Sequence, residues 1–224
     1  MKDTNPINNR TYKGLEVDSE SLQQFYPDDV DVEILELLDH PAALKVKESG
    51  DCLFASISLL LCGTETLAAE LRESVSKELV KNAEKYAHHK ALGVSCGGKP
   101  FDRVFPLAFS MKSQHEEWEV NRDKVACVVH EGKYVAGTKV YGSFVAILAL
   151  AELLKRPVYS VYPNIEYNFR PLFHQKIVPS CCLFTTPIII LWTSKRLDGC
   201  SKENFAPNHF VPVVDNSSIF FVDN

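Results

Sequence analysis

The chain has 224 residues, 46% of them hydrophobic and 24% charged, with 10 Gly, 12 Pro and a formal net charge of −5. That is enough for one domain with a sizeable core and a modest extension, and the apolar content excludes global disorder. The mildly acidic balance, with no basic cluster, argues against a nucleic-acid partner. The opening MKDTNPINNRTYKG has no apolar signal core, and the runs SLLLC, AILALAELL and PIIILW are too short to span a bilayer, so no membrane partner is expected.

In chain order, residues 1–25 form a polar, loose N-terminal extension and 26–224 a single domain. PDDVDVEILELLDHP predicts a helix from Pro27, with an acidic first turn and Val30, Ile34, Leu37 and Leu38 on one face, stopped by Pro41. AALKVKE alternates as a short strand, and ESGDC is a Gly-containing turn. CLFASISLLLCG is apolar at helical spacing (Leu53, Ile57, Leu60, Leu61) and closes on Gly63 as a C-terminal cap. Residues 64–92 predict one long amphipathic helix, and 111–130 a charged helix. After YGS come an apolar helix, FVAILALAELLKR, and two buried strands, PVYSVYP and PIIILW. NHFVPVV and IFFV, joined by NSS, predict a closing strand pair. Helices dominate the first half and strands the second, so the fold class is α+β, a small central sheet flanked by helices.

The cysteines (Cys52, Cys62, Cys96, Cys127, Cys181, Cys182, Cys200) are odd in number and contain no CxxC pair. No metal site and no cofactor is therefore expected, and most fit small buried hydrophobes in a reducing, cytoplasmic compartment. Cys52 differs in falling where a turn opens an apolar helix. Unpaired N–H groups and the helix dipole there stabilise a thiolate, and the same N–H groups can polarise a carbonyl. By position alone it also fits a cysteine that simply packs. His209, at the head of HFVPVV, is its natural partner, since an early Cys and a late His meet in many thiol hydrolases. His40, His88, His89, His115, His130 and His174 lie in turns, connections or charged segments.

ESGDCLFASIS resembles the nucleophile motif of the ovarian-tumour (OTU) cysteine proteases, in which a Gly-Asp turn and Cys-Leu-Phe open the central helix. YGSFVAILALAELLKRPVYSVYP is similar to that family's second block, and PIIILW with NHFVPVV to its third, all in the family's order over about residues 40–215. The resemblance implies a papain-like OTU fold and a deubiquitinase cutting after the C-terminal Gly of ubiquitin. Cys52 would be nucleophile, His209 general base, and the backbone of Asp51 and Cys52 the oxyanion hole. Trp192 and Phe210 would line or support the substrate channel, although core packing fits both. Partners would be ubiquitin or polyubiquitin, met by a monomer, with Glu48, Glu116, Glu117 and Glu119 as conceivable acidic contacts for a basic tail.

The chain departs from the common pattern at the orienting acid, usually two residues beyond the His, where Val211 stands. Asp215 lies six residues along an extended strand, ~20 Å away, and the Asn208 side chain points to the opposite face. The His block resembles the subfamily bearing zinc fingers or ankyrin repeats, in which the acid comes from ahead of the nucleophile. That implies Asp28, Asp29, Asp31 or Asp39, with Asp29 preferred, or else a Cys-His dyad without an acid. OTU-like modules in larger proteins, vertnin-like and mobile-element ones among them, are also similar. A catalytically inactive ubiquitin- or partner-binding module is the alternative, and a thiol hydrolase or acyltransferase acting on something else a third.

Overall fold

The computed structural model describes residues 12–24, 38–96, 105–110, 123–137, 140–163, 169–194, 205 and 207–220. In chain order they form β1 (Tyr12–Lys13), α1 (Ser19–Gln23), β2 (Pro41–Ala43), α2 (Cys52–Cys62), α3 (Ala68–Lys81), α4 (Ala83–Ala87), α5 (Lys124–Val135) and α6 (Phe144–Leu154). Then follow β3 (Val158–Val161), α7 (Arg170–Phe173), β4 (Gln175–Ile177), β5 (Ile188–Thr193), β6 (His209–Asp215) and β7 (Ile219–Phe220). The fold is α+β, as the sequence predicts.

Two helices that are apolar all round define the interior. Such a helix is stable only when covered on every side, and residues 52–60 of α2 and 144–151 of α6 are all buried. The polar positions of α2 are satisfied individually. Ser58 Oγ donates to the Thr64 carbonyl and accepts from the Leu67 N–H, and Ser56 Oγ donates to the Phe210 carbonyl. Gly63 closes α2 in the left-handed region at φ 76°, the cap expected of it.

The main sheet has the order β2-β6-β5-β3-β4, antiparallel except for the β3–β5 pair. Its long strands, β5 and β6, are the β-branched and aromatic runs IIILWT and HFVPVVD. One face of the sheet packs on the main core with α2, while Val211, Val213, Ile189, Leu191, Tyr159, Val161 and Ala43 form a smaller cluster with Leu22 and Leu38 against it.

Several sequence expectations are corrected. The helix expected over 64–92 is broken at Asn82, whose backbone (φ −116°, ψ 33°) leaves the helical region between α3 and α4, and residues 90–92 form a separate 3-10 turn. The expected closing pair is not a hairpin. Residues 216–218 form a 3-10 turn capped by Asp215, and β7 pairs instead with β1, in parallel. Pro41 opens β2, an edge strand whose first residue needs no ladder N–H, and regular pairing ends at Ala43. Residues 12–24, expected within a loose extension, pack on the domain: Tyr12 is buried, and α1 is capped by the Asp18 carboxylate on the Ser21 N–H. The helix expected from Pro27 falls mostly on 25–37, and the first part of the one expected over 111–130 on 111–122, outside the described residues. The second part is α5, which starts where Asp123 caps the Val125 N–H.

Candidate active site

Cys52 is the first residue of α2, delivered by the turn Ser49–Gly50–Asp51. Asp51 makes no side-chain cap, because its carboxylate is taken by Arg72 of α3 at 2.8 Å from Nε and 2.7 Å from the second terminal nitrogen. Leu53, the next residue, is wedged by Gly142: a Cβ on Gly142 would stand 2.3 Å from Leu53 Cδ2 and 2.8 Å from its Cβ. That contact explains why a glycine precedes the second apolar helix.

β6 meets the same point from the other side. Cys52 and Ser56 are one helical turn apart and share a face. Ser56 Oγ donates to the Phe210 carbonyl at 3.1 Å, and the polar backbone of Phe210 acts on the Cys52 thiol in the direction that favours its charged form. The nucleophile candidate therefore sits against the residue adjoining His209, the buried first residue of β6, which pairs with Thr193. Phe210 and Trp192 pack ring to ring at 4.4 Å, and Trp192 also touches Phe173 and donates to Ser160 Oγ. Both aromatics are buried in the core, where they hold the start of β6 in place.

The thiol is in its neutral form. Burial pushes Cys52 up to about 12, against the opposing pull of the Phe210 and Leu53 backbone and the Arg72 charge. The two N–H groups expected to form the oxyanion hole are engaged inside the turn. The Cys52 N–H donates to the Ser49 carbonyl at 3.1 Å, and the Asp51 N–H to Ser49 Oγ at 3.2 Å. This is a closed arrangement, in which the candidate nucleophile is buried and the candidate oxyanion donors are taken up within the turn.

The acid candidates separate clearly. Val211 is fully buried in the smaller cluster. The Asp215 carboxylate accepts from the Ser217 hydroxyl and from the N–H groups of Ser217, His40 and Asp39, which hold its pKa below the ordinary value. Asn208 donates its N–H to the Thr193 carbonyl. Asp28, Asp29 and Asp31 lie outside the described residues, as do Glu116, Glu117 and Glu119. Alternation along β6 puts His209 on the face shared by Val211 and Val213, the face covered by Leu22 and Leu38. Gln24 is anchored beside it, its amide bonding both the N–H and the carbonyl of Ser194, the residue after the His209 partner Thr193. The two ends of segment 25–37 thus flank the His209 side of the sheet.

Other histidines serve the backbone or the surface. The Nδ1 atoms of His89 and His174 accept from the Ala91 and Tyr162 N–H groups, His88 faces Glu84 at 3.3 Å, and His130 is exposed. Beside the nucleophile turn opens a cleft of about 920 Å³, lined by Glu48, Asp51, Glu65, Glu73, Arg72 and Tyr141 among others. Among the described residues no group of three His, Cys, Asp or Glu could hold a metal ion, and no helix is long and apolar enough to cross a membrane. Arg72 is the residue that sequence reasoning missed. A single arginine in an amphipathic helix carries no local signal of a buried role.

A family model described as "Vertnin, OTU domain" matches residues 43–193, a span that holds Cys52 and Trp192 and ends before His209. Vertnin of Mus musculus is 28% identical over 207 residues, covering 89% of this chain and 25% of that protein. Vertnin of Homo sapiens is 27% identical over 207 residues, with 89% and 26% covered. The chain spans about a quarter of the length of these relatives. Among solved structures, the OTUD1 OTU domain aligns with a TM-score of 0.43 at 14% identity, covering 78% of this chain and 86% of that one.

Proposed function

Since the chain belongs to the vertnin OTU-domain family, and OTU domains share a cysteine-protease fold, we propose that it is a thiol-dependent deubiquitinase that works from a closed resting site. The observation that carries this reading is Cys52 at the start of a buried helix, one turn from Ser56, whose hydroxyl bonds the carbonyl of Phe210, the residue next to His209.

Substrate must first open the site. The ubiquitin C-terminus enters the cleft beside the turn, where Glu48, Glu65 and Glu73 suit its basic tail. Displacing Ser49 frees the Asp51 and Cys52 N–H groups for the oxyanion. As the site opens, His209, which alternation places on the other face of β6 from Phe210, turns about the start of that strand to accept the Cys52 proton, and the sulphur attacks the carbonyl carbon of the terminal Gly. The imidazolium then gives that proton to the departing lysine amine as the C–N bond breaks. Water, deprotonated by His209, cleaves the thioester, releasing the ubiquitin carboxylate and restoring the thiol.

The orienting acid comes from the segment ahead of the nucleophile, with Asp29 the preferred residue. Support lies in the positions of Gln24 and Leu38 on the His209 side of the sheet. Replacing Asp28, Asp29, Asp31 and Asp39 singly by Asn should leave one variant, Asp29→Asn, slower in turnover by about 10²-fold or more. Four variants at wild-type rate would leave a Cys-His dyad with no acid from this segment.

The deciding assay is incubation with ubiquitin bearing a C-terminal electrophile. Wild type should form an adduct on Cys52, and Cys52→Ala and His209→Ala none. No wild-type adduct, or one that persists in Cys52→Ala, would refute the reading. The second reading, an inactive ubiquitin- or partner-binding module, is favoured by the neutral thiol and the engaged N–H groups. Ubiquitin affinity with neither adduct nor turnover would establish it.

A further inference from the structure

Arg72 lies on the other side of the nucleophile turn from β6, and its guanidinium is buried. All five of its N–H donors are used. Nε donates to the Asp51 carboxylate at 2.8 Å. One terminal nitrogen donates to the carbonyls of Val135 (2.9 Å) and Gly137 (3.2 Å), the other to those of Gly50 (2.7 Å) and Val140 (2.8 Å). The guanidinium plane lies over the Phe54 ring, 4.5 Å from its centroid. Phe54 is itself in the first turn of α2.

These partners divide into two groups. Gly50, Asp51 and Phe54 surround Cys52, whereas Val135, Gly137 and Val140 belong to the end of α5 and the connection into α6. Gly142 touches Leu53 at one point between these two regions, and the Arg72 side chain ties them by hydrogen bonds on both sides. A planar fork of five fixed donors suits four carbonyls and a carboxylate arranged around it. An ammonium, with three donors on one point, cannot satisfy that set. Overall fold stability does not demand such a group, because apolar packing fills a core equally well, and a buried arginine that spends every donor on two loops fixes a local geometry.

We propose that Arg72 is the positioning residue of this active site: it clamps the Gly50–Asp51 turn, sets where the α2 start presents Cys52, and ties that position to the α5–α6 connection. The proposal rests on the deubiquitinase reading for its catalytic consequence but not for the clamp itself. The Arg72 charge also acts on the sulphur, opposing the upward push of burial. Other charged groups near the turn are Lys47 and Glu48 just before it, Glu65 and Glu73 across the cleft, and His209 at the start of β6.

The test compares Arg72→Gln and Arg72→Lys with wild type by amide hydrogen exchange and by turnover of ubiquitin carrying a C-terminal fluorogenic amide. In both variants exchange should rise at least tenfold in peptides covering 48–54 and 135–141, with peptides from α6 and β5 unchanged. Turnover should show kcat lower by about 10²-fold with KM within about threefold, since a nucleophile displaced by 1 Å loses rate rather than binding. Arg72→Lys should recover less than a tenth of the wild-type rate. Unchanged exchange at 48–54, a rise shared equally by all peptides, or full recovery with lysine would overturn the clamp. If wild type has no turnover on ubiquitin, the function reading fails and the exchange pattern alone decides the clamp. If Arg72→Gln does not fold, Asp51→Ala removes one arm and leaves the four carbonyl bonds; local exchange at 48–54 should then rise several-fold, and no rise would overturn the proposal.

Discussion

Gly142→Ala should lower the melting temperature by roughly 5–10 °C and cut turnover at least tenfold. The added Cβ has no room: Leu53 Cδ2, Cβ and Cγ would lie 2.3, 2.8 and 3.0 Å away. The methyl end could rotate aside, but the Leu53 Cβ is fixed to the backbone of α2, so the helix start itself must give. Overpacking of this kind costs about 1–3 kcal/mol, and at this chain length each kcal/mol moves the midpoint by roughly 2–4 °C. Leu53 adjoins Cys52, so the displacement is passed to the sulphur, where small errors in position are expensive in rate. Gly93→Ala is the matching control, because its nearest neighbour would be one carbonyl at 3.4 Å. Thermal denaturation of the two variants beside wild type checks the prediction. A Gly142→Ala protein melting within a degree of wild type at full activity would show that the helix start yields without consequence.

Alkaline stability should depend on Cys52 to an extent that a single-site variant reveals. The thiol has an ordinary value of 9.0 and is pushed up to about 12 in the fold, mainly by burial. Below pH 9 both folded and unfolded states hold the proton, and the contribution is fully present. Between 9 and about 12 the unfolded chain releases the proton while the folded chain keeps it, so stability falls as pH rises. At about pH 10.5 the loss is about 2 kcal/mol relative to neutral pH. Cys52→Ala carries a constant packing penalty but not this slope. Urea denaturation of both proteins at pH 7 and pH 10.5 should therefore show the difference between them narrowing by about 2 kcal/mol. A difference that stays constant would mean the folded thiol titrates normally, and the site would then be open rather than closed.

What the sequence revealed is what depends on local pattern. The start of α2 at Cys52, its stop at Gly63, and the runs that became β3, β5 and β6 are set by apolar periodicity and by one αL glycine. The break at Asn82 was hidden because Val75, Leu79 and Tyr86 are buried on both sides of it, so the apolar spacing continues past the point where the backbone leaves the helix. The β1–β7 pair was hidden for another reason: its partners are about two hundred residues apart, and two-residue strands carry no periodicity. The site divides in the same way. Cys52 and His209 belong to short motifs, whereas Arg72 acts on residues 21 to 68 positions away through backbone carbonyls, which any residue type supplies. Its role is written in the tertiary structure alone. The closed state of the turn was equally invisible, since it consists of two hydrogen bonds to Ser49 that an open turn of the same sequence lacks.

The parallel pairing of β1 with β7 also determines how the domain answers to mechanical load. Tyr12 sits beside Ile219 and Lys13 beside Phe220, with both strands running the same way. Tension that draws the chain ahead of Tyr12 backwards and the chain beyond Phe220 forwards pulls the strands past each other, so their hydrogen bonds are strained together rather than peeled in turn. Only when that contact slides does force pass through the Asn216–Ser218 turn into β6 and on to its first residue, His209. The small sheet thus stands between such tension and the strand that begins with His209.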